Sequence, residues 1–186
     1  GSTMIGSHNY KGKLGDIDVD SATTKTYALN AYATTIGANS FSNGAFTTNT
    51  GVYNIMSSEY TGGFFSNPIK NFGATITGSL NSIESKTSNN QYAGIANSIV
   101  GTANRTFNSN GSIVMGAGNE ITNSITTISA PNDGGNSAKA LADNLRGAIK
   151  NSKSGGATMA LGGGNKADYT LRTSIIGVNN TITGAK

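Results

Sequence analysis

The chain has no cysteine, no tryptophan, two prolines and one histidine in 186 residues. Without cysteine there is no disulfide framework and no thiolate metal site, which suits a reducing compartment or an extracellular protein held by its fold alone. Nucleophilic and acid–base catalysis need converging titratable groups. The single histidine, His8, lies close to the start of the sequence, which excludes a histidine-based triad in practice. Charge is scarce too, with 12% charged residues and a net charge of +4. The Lys and Arg excess is spread thinly with no basic stripe, so nucleic acid is not an expected partner. No apolar run approaches the roughly 20 residues of a bilayer span, and no signal-peptide core opens the chain.

Leu, Ile, Val and Phe make up about 19% of the chain. That is close to the composition of disordered proteins, but disorder by self-repulsion also needs high net charge, which is missing. So few large apolar side chains do not build one conventional core for 186 residues. The expected solution is many small cores in series, or burial shared between chains.

About half of the sequence is Gly, Asn, Thr and Ser, and it is ordered into a recurring phrase. Thr34-Thr35-Ile36-Gly37-Ala38-Asn39-Ser40 returns as Ser98-Ile99-Val100-Gly101-Thr102-Ala103-Asn104 and as Ser112-Ile113-Val114-Met115-Gly116-Ala117-Gly118-Asn119. It returns again over Thr158–Asn165 and Thr173–Asn180, and more loosely over Ala74–Asn81. The phrase reads as a short β-branched strand, then Gly, two residues, and Asn or Ser. Gly101 to Gly116 and Gly162 to Gly177 are each about 15 residues, enough for two short strands and two turns. That is the period of a two-sided β-solenoid coil, with Gly and Asn where the chain must reverse. Alternate Ile and Val are expected to face a thin interior, Ile113 and Ile175 among them, with Ser, Thr and Asn outside or laddered between coils.

Two segments break the period. Over 131–154, a turn cluster from Pro131 to Ser137 precedes Leu141, Leu145, Ala148 and Ile149 at helical spacing. This predicts an inserted amphipathic helix capped by Asn136 or Ser137 and packed against the roll. Near 57–71, Tyr60, Phe64, Phe65, Pro68 and Ile69 fit no coil and predict a protruding loop. Residues 1–4 read as a cloning remnant, and 5–186 as a single domain.

The repeated phrases resemble the head repeats of YadA-like trimeric autotransporter adhesins, over roughly Ala31–Gly51 and Ala74–Ile182. The resemblance implies an all-β fold, a left-handed parallel β-roll with one short helical insertion, assembled as a homotrimer with one face of each roll toward the three-fold axis. It implies a bacterial cell-surface adhesin head, joined to the outer membrane through a stalk and anchor not seen in this sequence. The composition is also similar to that of fusobacterial adhesins, which would make the partner a host-cell surface glycoprotein such as a member of the carcinoembryonic-antigen-related (CEACAM) family. The alternative is a structural spacer in a larger surface fibre.

Other chemistry is thin. Asp16, Asp18 and Asp20 offer three carboxylates, but the later Gly and bidentate Glu of a calcium loop are missing, so a strand with Ile17 and Val19 inside is expected and no metal site. Gly162-Gly163-Gly164-Asn165-Lys166 lacks the spacing of a phosphate loop and reads as a tight turn. Neither a regular Thr-x-Thr ladder nor an acidic groove argues for an ice-binding or polysaccharide-cleaving solenoid. The expected activity is binding without catalysis or cofactor, with Tyr60, Phe64, Phe65 and Ile69 as candidate receptor contacts.

Overall fold

The computed structural model describes residues 2–11, 33–42, 44, 46–58, 71–85, 94–126, 137–151 and 158–184. Its elements run β1 (Thr3–Ser7), β2 (Tyr10–Lys11), β3 (Thr34–Ala38), β4 (Phe41–Ser42), β5 (Thr48–Val52), β6 (Ile55–Ser58), β7 (Thr75–Ser79) and β8 (Ser82–Ser85). There follow β9 (Ser98–Thr102), β10 (Arg105–Phe107), β11 (Ile113–Ala117), β12 (Glu120–Thr122), α1 (Ala138–Asn151), β13 (Met159–Gly163), β14 (Lys166–Asp168), β15 (Ser174–Val178) and β16 (Thr181–Thr183). The odd-numbered strands form one 8-stranded sheet in sequence order, here the first wall, and the even-numbered strands form a second. Every pairing is parallel, so each odd–even pair is one coil of a solenoid. Thr3 and Met4 pair with Thr34 and Thr35, so the first coil begins at Thr3.

Two columns explain why this sequence coils. The first is the glycine column, Gly6, Gly37, Gly51, Gly78, Gly101, Gly116, Gly162 and Gly177, which pair glycine on glycine. From Gly6 to Gly162 each has φ between +112° and +138°, and an added Cβ would meet the next glycine's carbonyl oxygen at 1.7–1.9 Å. The second stands three residues on: Asn54, Asn81, Asn104, Asn119 and Asn165 are buried and bonded in a chain. Asn119 is typical. Its backbone N–H and its Nδ2 donate to Asn104 Oδ1 at 3.1 and 3.0 Å, and Nδ2 also donates to the Gly162 carbonyl at 2.8 Å. Its own Oδ1 accepts from the backbone N–H and the Nδ2 of Asn165 at 3.1 and 2.9 Å. Backbone turn groups that have no strand partner are thereby satisfied by a side chain in the neighbouring coil.

The position two before each glycine faces inward on the first wall. From the fourth coil on it holds Ile76, Ile99, Val114, Ala160 and Ile175, all buried. Met56, Ile83, Ile121 and Ala167 close the same core from the second wall, with Ile182 packed against it. Ile175 takes its expected place at 3% exposure, but Ile113 does not: it is 42% exposed, and Val114 beside it is fully buried. Three consecutive apolar residues hide the alternation there, and only counting back from Gly116 recovers the register. Toward the N-terminus the interior turns polar. Asn49 Nδ2 donates to Ser42 Oγ at 2.9 Å, and Thr35 Oγ1 bonds the same hydroxyl at 3.3 Å.

Replacing Ile175 by Asp buries a charge with no partner, so the melting temperature is expected to fall by roughly 10 °C or more. Thr181→Ala, at an exposed position, should leave it nearly unchanged, and a thermal melt compares the two.

Helix α1 spans Ala138–Asn151 inside the predicted insertion. Ser137 Oγ accepts from the Ala140 backbone N–H at 3.2 Å and caps it, as expected. Exposed pairs Lys139–Asp143 (2.5 Å) and Arg146–Asp143 (2.9 Å) support its outer side. The side chains of Leu141, Leu145, Ala148 and Ile149 lie outside the described set. Four intervals between consecutive coils are long: 12–32, 59–70, 86–93 and 127–157, the last holding α1. All four fall after an even strand and before the next odd strand, at the return corner. The glycine pairing resumes in register after each.

Candidate functional site

Tyr60, Phe64, Phe65 and Ile69 lie outside the described residues, as do Asp16, Asp18 and Asp20 with the strand expected there. The loop expected near 57–71 is described only at its ends. Ser57 and Ser58 belong to β6, and Asn71 is buried in the turn that leads into β7. Two aromatic rings stand on that return corner, Phe46 and Phe72, edge to face with centroids 5.2 Å apart.

Two described surfaces depart from an ordinary polar exterior. The first is the outer face of the first wall. Its eight strands contain no Asp, Glu, Lys or Arg at any position. Just before each glycine the side chain points outward, giving Ile5, Ile36, Thr50, Thr77, Val100, Met115, Leu161 and Ile176 down the wall. Ile5 is 56% exposed, Met115 46% and Ile176 72%. The expectation that polar residues occupy the outward positions is therefore corrected: on this wall aliphatic residues lie on both sides, and Thr-x-Thr occurs on two adjacent coils only, β5 and β7. The second wall is different. It carries Lys11, Glu84, Arg105, Glu120, Lys166 and Asp168. Arg105 is ion-paired to Glu120 and sits 4.7 Å over the Phe107 ring.

The second surface is a shallow groove of about 440 Å³ at the N-terminal end of the second wall, lined by His8, Tyr10, Asn39, Phe41, Tyr53 and Ile55, with Ser40 and Asn54 at its base. Two rows build it. Tyr10, Phe41 and Ile55 are in register on successive second-wall strands. His8, Asn39 and Tyr53 stand two residues after Gly6, Gly37 and Gly51, all left-handed with φ of 52°, 52° and 57°. Parallel coils set these rows at a spacing of about 4.8 Å. The corner is held by the Asn39 N–H on the Ser7 carbonyl and the Tyr53 N–H on the Ala38 carbonyl, both at 3.1 Å. Tyr10 and Tyr53 remain 49% and 59% exposed. Sequence reasoning passed over this groove, although Ile5-Gly6-Ser7-His8-Asn9 and Thr50-Gly51-Val52-Tyr53-Asn54 repeat the coil phrase and place these residues beside one another.

Among the described residues no group of three His, Cys, Asp or Glu side chains is placed to hold a metal ion. No helix among them is long and apolar enough to cross a membrane. No protein-family model, curated protein or solved structure matches the chain.

Proposed function

We propose that this chain is the head of a bacterial cell-surface adhesin of the YadA-like trimeric autotransporter type. It forms a left-handed β-roll that assembles as a homotrimer and binds a host-cell surface glycoprotein without catalysis. The observation that carries this reading is the first wall: eight strands without one charged residue, presenting outward a column of Ile, Val, Met and Leu interrupted only by Thr50 and Thr77. A face of that kind in water is a surface to be covered. The occupant that suits it is the same face of another copy, because a coil-by-coil column meets its equal with the same spacing at every level. The covered face adds the apolar burial that the thin interior of a single chain lacks. Three heads in one particle then let weak receptor contacts add through effective concentration.

Sedimentation equilibrium at micromolar concentration is expected to give three times the 18.9 kDa chain mass. Val100→Lys with Met115→Lys, which puts six charges into the trimer interface, is expected to give monomers with a lower melting temperature. A monomeric parent protein overturns the reading. Adhesion of the parent trimer to host epithelial cells tests the functional half.

A further inference from the structure

We infer that the groove between His8, Tyr10, Asn39, Phe41, Tyr53 and Ile55 is a binding site for a neutral saccharide. The inference deepens the adhesin reading, since it names the chemistry of the receptor that such a head would hold.

The groove is where the repeat changes character. From the fourth coil on, the corner row continues as Leu80, Ala103, Gly118, Gly164 and Asn179, and the face row as Ser82, Arg105, Glu120, Lys166 and Thr181. The roll needs no ring at these positions, since five coils close without one. Three aromatic rings and an imidazole nevertheless gather on the first three coils, in a chain with only 7% aromatic residues.

The polar groups select the ligand class. Among the described residues that line the groove there is no Lys, Arg, Asp or Glu, so none of them compensates an ionic ligand. The phenols of Tyr10 and Tyr53 and the Asn39 amide each both donate and accept hydrogen bonds. Sugar hydroxyls do the same, and the pairing is satisfied whichever way each hydroxyl turns. The electron-rich faces of the Tyr and Phe rings complement the weakly polarised C–H face of a pyranose. An apolar groove with a few convergent polar groups, on a backbone already ordered by parallel pairing, is the general form of a small-ligand site with little ordering cost.

The test is retention of the folded head on immobilised oligosaccharides, with galactose-, N-acetylglucosamine- and fucose-terminated chains against their sialylated counterparts. Neutral chains are expected to be retained, with sialylation giving no gain. Tyr10→Ala and Tyr53→Ala should each lose at least tenfold in affinity, and Tyr53→Phe less, because it keeps the ring and loses only the hydroxyl. Leu80→Ala, on the same corner one coil beyond the groove, should bind as the parent does. Unchanged thermal melts certify the variants, and Tyr53→Phe keeps the test open if an alanine variant is unstable. No retention on any oligosaccharide, or retention indifferent to Tyr10 and Tyr53, overturns the inference. Tyr53-dependent binding to enzymatically deglycosylated host surface protein also overturns it and assigns the groove to a protein contact. Retention on neutral sugars by a head that adheres to no host cell supports the groove and overturns the adhesin reading instead.

Discussion

Gly101→Ala is expected to abolish cooperative folding, whereas Gly73→Ala should cost about 1 kcal/mol. Both glycines have positive φ, +133° and +65°, so the difference lies in what surrounds them. A Cβ at Gly73 meets nothing within 4 Å, and the left-handed corner is a conformation other residues already adopt, as Ala96 does at φ 54°. A Cβ at Gly101 would stand 1.9 Å from the Gly116 carbonyl oxygen and 3.1 Å from Asn104 Nδ2. Relief would require the coils to part at the centre of the roll, breaking parallel pairs that no other contact replaces. The cost is on the order of 4 kcal/mol or more, the range reserved for backbone strain and lost networks. Because each coil touches only its neighbours, the damage should divide the molecule. Hydrogen exchange should show protection lost around β9 and β11 first. A Gly101→Ala protein that melts like the parent would mean that the coils do not stack as closely as described.

The second large effect is expected at Asn119→Ala, at about 3 kcal/mol. The substitution removes no apolar area, so a burial argument alone predicts almost nothing. What it removes is the acceptor for the buried Asn165 backbone N–H and the donor to the Gly162 carbonyl. The Asn165 N–H then loses its partner in a place water does not reach, at roughly 1–3 kcal/mol, and the carbonyl of the exposed Gly162 loses a smaller share because water can replace the amide there. Asn179→Gly is the control. Asn179 is exposed at a left-handed corner with φ 55°, so glycine should change stability by a few tenths of a kcal/mol. Chemical denaturation of the two variants separates an internal amide ladder from a general preference for asparagine at turns.

The coil was legible in the sequence because its strongest constraints are chemical identities rather than hydrophobic patterns. Gly followed by two residues and Asn marks the close stacking and the amide ladder, and the two columns recur with the phrase, Ser40 standing in for Asn after Gly37 and accepting from the Asn54 N–H through its hydroxyl. Helix α1 was legible for a different reason: its apolar spacing and the Ser137 cap are local signals that require no knowledge of the roll. The orientation of side chains was less so. At Ile113-Val114-Met115 every residue is apolar because the outer face is apolar too, and a pattern with no polar phase carries no register. The groove escaped because its residues are separated by about 14 to 31 positions in the chain and become neighbours only when coils stack. Tyr53 and His8 look like irregularities until the left-handed corner they share is seen.

The return of every long interval to the same glycine pairing makes the roll a ruler. Height along its axis is counted in coils, at about 4.8 Å each, and takes no account of how many residues lie between them. The 46 residues from Gly116 to Gly162 and the 15 from Gly162 to Gly177 both advance the chain by one level. Chain added at the return corner widens the molecule without lengthening it, while a duplicated coil lifts everything beyond it by one step. Reach and ornament can therefore diverge independently in proteins built this way, and a peptide grafted at that corner should ride at a height chosen in advance.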